Sequence, residues 1–115
     1  MRGQKLYIRP IEPADHEAVA RFLLAQGRPA DAPPLGLLGK LVGELVAVVR
    51  MEIAGDALRI ADVVVAAELR RKRIGRLMID EAARIAVKMD RKQLVAEPPP
   101  ESRGFFERLG FRGEG

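Results

Sequence analysis

The chain has 115 residues, with 20 Lys+Arg against 16 Asp+Glu and a formal net charge of +4. That length supports one domain with one core, and a composition 48% hydrophobic and 31% charged excludes an intrinsically disordered chain. The absence of cysteine excludes a disulfide framework and a cysteine nucleophile, and a single histidine, His16, is too few for a histidine metal cluster.

In chain order, Leu6-Tyr7-Ile8-Arg9 predicts a short strand that stops at Pro10. Pro13-Ala14-Asp15 announces a helix, Ala18, Val19, Phe22 and Leu23 recur at helical spacing, and Gly27 ends the run. Residues 27–36 hold three prolines and two glycines, which makes a loop inside the domain. Leu35–Leu38 predicts a strand running into a Gly39-Lys40 turn, and Leu41–Ile53 a long valine-rich strand. Ala54-Gly55-Asp56 is the next turn and Ala57–Ala66 the next strand, giving an antiparallel meander.

The following stretch holds the charge. Arg70, Arg71, Lys72, Arg73 and Arg76 lie within seven residues that contain no acid, and without them 15 basic residues face 16 acidic ones. From Ile74 the apolar positions Met78, Ala82, Ile85 and Met89 predict a helix, with Leu77 and Ala86 on the same side and Asp80 spaced to pair with Arg84. Gln93–Ala96 is a short strand before three prolines. Glu101–Leu109 predicts a last helix stopped by Gly110, and Phe111-Arg112 opens a final strand. The order β-α-β-β-β-α-β-α-β is a mixed α/β sheet.

Local rules conflict at the basic stretch. A helix starting near Arg73 should carry Ser, Thr, Asp or Asn as its cap and acids in its first turn; this one has four consecutive cations. A solvated basic turn is one account. An anion is the better one, because a phosphate would accept the orphan N–H groups of the helix start and pair with the guanidinium groups. Gly75 permits close approach of the backbone.

These residues resemble the GNAT acyltransferase superfamily. Its strand, Arg/Gln-x-x-Gly-x-Gly/Ala loop and helix are similar to the run from Asp62 through Gly75, and its Phe-Tyr-x-x-x-Gly-Phe motif resembles Phe105-Phe106-Glu107-Arg108-Leu109-Gly110-Phe111. The resemblance implies a single-domain GNAT-like α/β fold over residues 1–115, with the mixed-sheet order read above. It also implies an acetyl-CoA-dependent N-acetyltransferase with no metal, acting on an amine acceptor. By that resemblance the backbone of Val63 and Val65 would pair with the pantetheine arm. Arg70, Arg71, Lys72, Arg73, Ile74, Gly75 and Arg76 would hold the pyrophosphate, and Asp62 falls where a carboxylate often deprotonates the acceptor amine. As a plain residue, Asp62 also reads as a polar group at a strand edge.

Three positions depart from the family pattern: Arg73 stands at the first loop glycine, Phe106 at the tyrosine that often protonates the departing thiolate, and Pro99 at an asparagine. They keep open a second class, a non-catalytic acyl-CoA-binding module. A third class, a nucleic-acid-binding domain, is disfavoured by the near-neutral remainder of the chain. The chain ends four residues after Phe111, so the expectation is a truncated C-terminal edge, which either a partner subunit of a homodimer completes or which leaves the acceptor side open. The first 25 residues lack a signal-type apolar run, and the run near Val63–Ala67 is too short to span a bilayer. The expectation is a cytoplasmic protein with no membrane partner. His16, Glu44, Glu52, Glu97 and Glu101 are secondary site candidates, each with surface exposure as the plainer account.

Overall fold

Five strands form one sheet in sequential order, described in this computed structural model for residues 6–69, 73–91 and 93–96. Strands β1 (Leu6–Pro10), β2 (Gly36–Leu41), β3 (Glu44–Ala54) and β4 (Ala57–Val65) pair antiparallel, while β5 (Gln93–Ala96) lies parallel to β4. A parallel neighbour is out of reach of a hairpin, and helix α2 (Ile74–Lys88) makes the crossover. Helix α1 (His16–Ala25) lies between β1 and β2 in the chain. The expected helix over 101–109 and the strand after it lie outside the described residues.

Strand alternation divides the core in two. Leu37, Val49 and Val63 stand in register across β2, β3 and β4 and pack with Met78, Ile79 and Ala82 of α2. Their chain neighbours Leu38, Val48 and Val64 face the opposite side and pack with Val19 and Leu23 of α1. The period-2 pattern of a strand buried on both faces requires such a division.

Two expectations are corrected here. The β2–β3 turn falls at Val42-Gly43 rather than Gly39-Lys40, and both residues have positive φ (51° and 80°). A two-residue hairpin with that geometry normally selects Asn or Gly at its first position, so Val42 gives no turn signal in the sequence. Gly39 instead lies inside β2, because a Cβ there would stand 2.8 Å from Met78 Sδ. Its glycine marks the close approach of α2 to the sheet. On α2, Arg84 pairs with Glu81 at 3.4 Å instead of with Asp80, and Leu77 is exposed rather than on the buried side. A Cβ at Gly36 would stand 2.4 Å from the Val49 carbonyl oxygen, so backbone meets backbone there.

The entry to α1 is held by charge. A short 3-10 turn, Pro13–Asp15, precedes the helix. Both oxygens of Asp15 accept hydrogen bonds from Arg9 of β1, at 2.7 and 2.8 Å, and one also accepts the Glu12 N–H at 2.7 Å. The Arg9 bonds first, and the Glu12 N–H next, hold the Asp15 carboxyl well below its ordinary value.

Two predictions concern stability. Gly36→Ala should destabilise by about 2–3 kcal/mol in urea unfolding, and Gly39→Ala by less, since a methionine side chain yields and a carbonyl in a ladder does not. Asp15→Asn should cost about 1 kcal/mol at neutral pH. Because the folded carboxyl is depressed, its contribution is complete above the ordinary value of 3.8 and lost as pH falls through the folded value. The gap between Asp15→Asn and the parent should therefore shrink below about pH 4, which unfolding curves across pH will show.

Candidate active site

The site begins with one extra residue in β4. Arg50 stands opposite Asp62 but Met51 stands opposite Ile60, so Ala61 is a bulge without a partner on β3. The bulge reverses the side-chain alternation. Ile60 and Val63, three residues apart, both pack in the α2 core, and Asp62 is delivered to the α1 face beside Val64. Without the bulge, the carboxylate would follow Leu58 and Ile60 into the apolar core.

Among the described residues the β4–β5 ladder runs from Ala57/Gln93 to Ile60/Ala96, and β4 continues to Val65. The Ala66 N–H donates to the Val46 carbonyl at 2.8 Å, which fixes the phase of the β3 pairing. Alternate residues point their peptide groups to opposite sides, so those of Val63 and Val65 turn away from β3, toward the side on which β5 lies.

Beyond β4 a 3-10 turn, Ala67–Leu69, leads into the basic stretch. Arg70, Arg71 and Lys72 lie outside the described residues. Arg73 is described: φ is 65°, the left-handed region, and it is the residue before α2. The position at which the family pattern carries glycine therefore has the backbone conformation that favours glycine. Among the described residues no side chain caps α2, and no acid occupies its first turn. Helix geometry leaves the first N–H groups without intrahelical acceptors, so Ile74, Gly75 and Arg76 present them at the positive end of the helix dipole. Ile74 and Gly75 are buried, and the side chains of Arg73 and Arg76 are exposed.

Arg28, which the sequence analysis passed over, meets Asp62. α1 ends with Gly27 at φ 80°, the Gly27 N–H donating to the Leu24 carbonyl at 3.0 Å and the Arg28 N–H to the Leu23 carbonyl at 2.9 Å. This is a Schellman ending, and it fixes where Arg28 leaves the helix. Its Nε donates to Asp62 Oδ2 at 2.8 Å, with both side chains largely buried. One residue earlier than Gly27, Gln26 Oε1 accepts the Ala67 N–H at 3.2 Å. The end of α1 is thus tied to both ends of the bulged half of β4. The available sequence signal was Gly27 itself, since a glycine that ends a helix also places the residue after it.

Asp62 opens onto a cavity of about 190 Å³ on the α1 face. Leu23, Pro29, Val48 and Val64 supply apolar wall, and Arg28, Asp31, Arg50 and Asp62 the charge. Asp62 Oδ1 is buried and, among the described residues, has no hydrogen-bond partner. Of the secondary candidates, His16 and Glu44 are exposed, and Glu52 is taken up by Arg59; Glu97 and Glu101, with Phe105, Phe106 and Phe111, lie outside the described residues. Among the described residues no three His, Cys, Asp or Glu side chains gather as a metal site requires, and no helix is long and apolar enough to cross a membrane.

The chain belongs to the acetyltransferase (GNAT) family, whose sequence profile matches residues 4–111. The fold is similar to that of ribosomal-protein-alanine N-acetyltransferase from Brucella melitensis biovar Abortus 2308. The TM-score is 0.81 at 19% identity, over 96% of this chain and 95% of that one. An aminoglycoside N-acetyltransferase, AAC(6')-Iy, solved in complex with CoA, matches with TM-score 0.76 and 12% identity over 99% and 92% of the two chains. Glucosamine-6-phosphate N-acetyltransferase from Arabidopsis thaliana matches with TM-score 0.71 and 17% identity over 96% and 94%. No curated protein sequence gives a significant match.

The backbone at Arg73 yields a test. A non-glycine residue in the left-handed well costs about 1 kcal/mol, so Arg73→Gly should be at least as stable as the parent in thermal unfolding. Arg73→Val should lose about 1 kcal/mol or more. Equal losses in both variants would contradict a left-handed Arg73.

Proposed function

We propose that this chain, acting as a single domain over residues 1–115, is an N-acetyltransferase that passes the acetyl group of acetyl-CoA directly to a primary amine. The observation that carries the reading is the acid-free start of α2, preceded by a left-handed Arg73, on the chain that follows the bulged strand β4. The peptide groups of Val63 and Val65 suit the amide-bearing pantetheine arm. The N–H groups of Ile74, Gly75 and Arg76, with the cations Arg70, Arg71, Lys72 and Arg73, suit the pyrophosphate.

Asp62 is the base. The amine nitrogen forms a bond to the acetyl carbon while the carbon–sulfur bond breaks; Asp62 takes the proton released from nitrogen, and the thiolate leaves with the electron pair. Coenzyme A is a thiol with a pKa of about 8–9 by analogy with free thiols, so its departure does not demand an acid, which fits Phe106 in place of a tyrosine. Holding amine and thioester together supplies much of the rate. The reading needs no metal, no nucleic acid and no membrane, and it places the protein in the cytoplasm; a homodimer is compatible with it.

A second reading, a non-catalytic acyl-CoA-binding module, is favoured by one observation: Asp62 Oδ2 is already engaged by Arg28. Thiol release separates the two. Calorimetry should show acetyl-CoA binding that is lost when Arg70, Arg71 and Arg73 are changed together to Ala. Thiol release with an amine panel should fall about 10²–10⁴-fold in Asp62→Asn without loss of acetyl-CoA binding. Binding with no thiol release from any amine would select the module, and absence of binding would end both readings.

A further inference from the structure

Arg50 and Asp62 are directly opposed residues on neighbouring strands, and both side chains line the cavity on the α1 face. Opposite charges so placed ordinarily pair across the strands. Here they do not. Asp62 turns its Oδ2 to Arg28, and Arg50 donates an Nη2 hydrogen bond to the main-chain oxygen of Asp31. Among the described residues, Asp62 Oδ1 is left buried without a partner, and no carboxylate pairs with Arg50. A guanidinium has five N–H donors in a fixed fork, and one main-chain oxygen does not exhaust them. The cavity is thus lined by one carboxylate with a spare acceptor and one under-used cationic fork, carried on directly opposed residues of neighbouring strands.

Resting on the acetyltransferase reading of this site, we infer that the acceptor is a small α-amino acid. Its ammonium group would meet the Asp62 carboxylate and its carboxylate the Arg50 fork. A simple amine satisfies the first group and leaves the second unused. A simple carboxylate does the reverse and leaves a buried oxygen without a donor, which is the costly omission. Size agrees with charge: about 190 Å³ is below the roughly 300–1,000 Å³ of pockets that enclose drug-sized ligands. The apolar wall of Leu23, Val48 and Val64 suits a short aliphatic side chain. Acetylation would remove the ammonium charge, so the product would lose its hold on Asp62 and keep only the Arg50 contact, which favours release.

The test is calorimetric titration of the full chain with L-alanine, L-alaninamide and propionate, each with and without coenzyme A. L-alanine should bind at least about tenfold tighter than either of the others, the worth of one charged hydrogen-bonded contact. Arg50→Gln should reduce the preference for alanine over its amide to less than about twofold, while Arg50→Lys should keep part of it. Circular dichroism of both variants checks that they fold. An amide that binds as tightly as the acid, a preference that survives Arg50→Gln, or no binding of any of the three would overturn the inference. Failure of coenzyme A to bind would instead overturn the acetyltransferase reading, and the titrations without it still decide the nature of the small ligand.

Discussion

The bulge at Ala61 is the constraint on which the rest of the site depends. Side-chain period in a strand is two, so one extra residue exchanges the faces for everything beyond it. Up to Ile60, β4 serves the α2 core and keeps β5 as its neighbour. After it, Asp62 lines the cavity on the α1 face and Val63 re-enters the α2 core. A single insertion thus sets both the face on which the carboxylate stands and the phase of the peptide groups beyond it.

The two helix ends reinforce that arrangement by the same device. α1 ends with Gly27 in the left-handed region followed by Arg28, and α2 ends with Asp90 at φ 57° followed by Arg91. In each case the N–H of the arginine bonds the carbonyl five residues back, Leu23 or Ala86. Each arginine then reaches a distant part of β4 or its approach: Arg28 to Asp62, and Arg91 to the carbonyl of Gly55 in the β3–β4 turn. Helix endings with fixed backbone geometry thus act as mounts for long cationic side chains, which would otherwise sample many rotamers.

Much of the fold is legible in the sequence because it follows from periodicity and turn chemistry. The strand at Leu6, the helix ended by Gly27, the Gly55 turn, the helix from Ile74 and the strand at Gln93 all carry such signals. The β2–β3 turn is not legible, since Val42 adopts a conformation that valine rarely takes and Gly39 offers a false signal. The acid-free start of α2 is visible as a violation of local rules, whereas Asp62 is picked out by the family resemblance and otherwise reads as a polar residue at a strand edge. The partners of Asp62 are not. Arg28 lies 34 residues away in the chain, and Arg50 becomes its neighbour only through a register shifted by a bulge, which leaves no mark on the spacing of apolar residues.

Among the described residues the two faces of the sheet are unequally loaded. α2 buries Ile74, Gly75, Met78, Ile79, Ala82 and Ala86, whereas α1, five residues shorter, buries Val19 and Leu23. Of these two layers, the one that carries the cavity beside Asp62 is thus held by less helix-derived apolar burial than the one that presents the start of α2, and substitutions there disturb fewer buried contacts of the framework opposite.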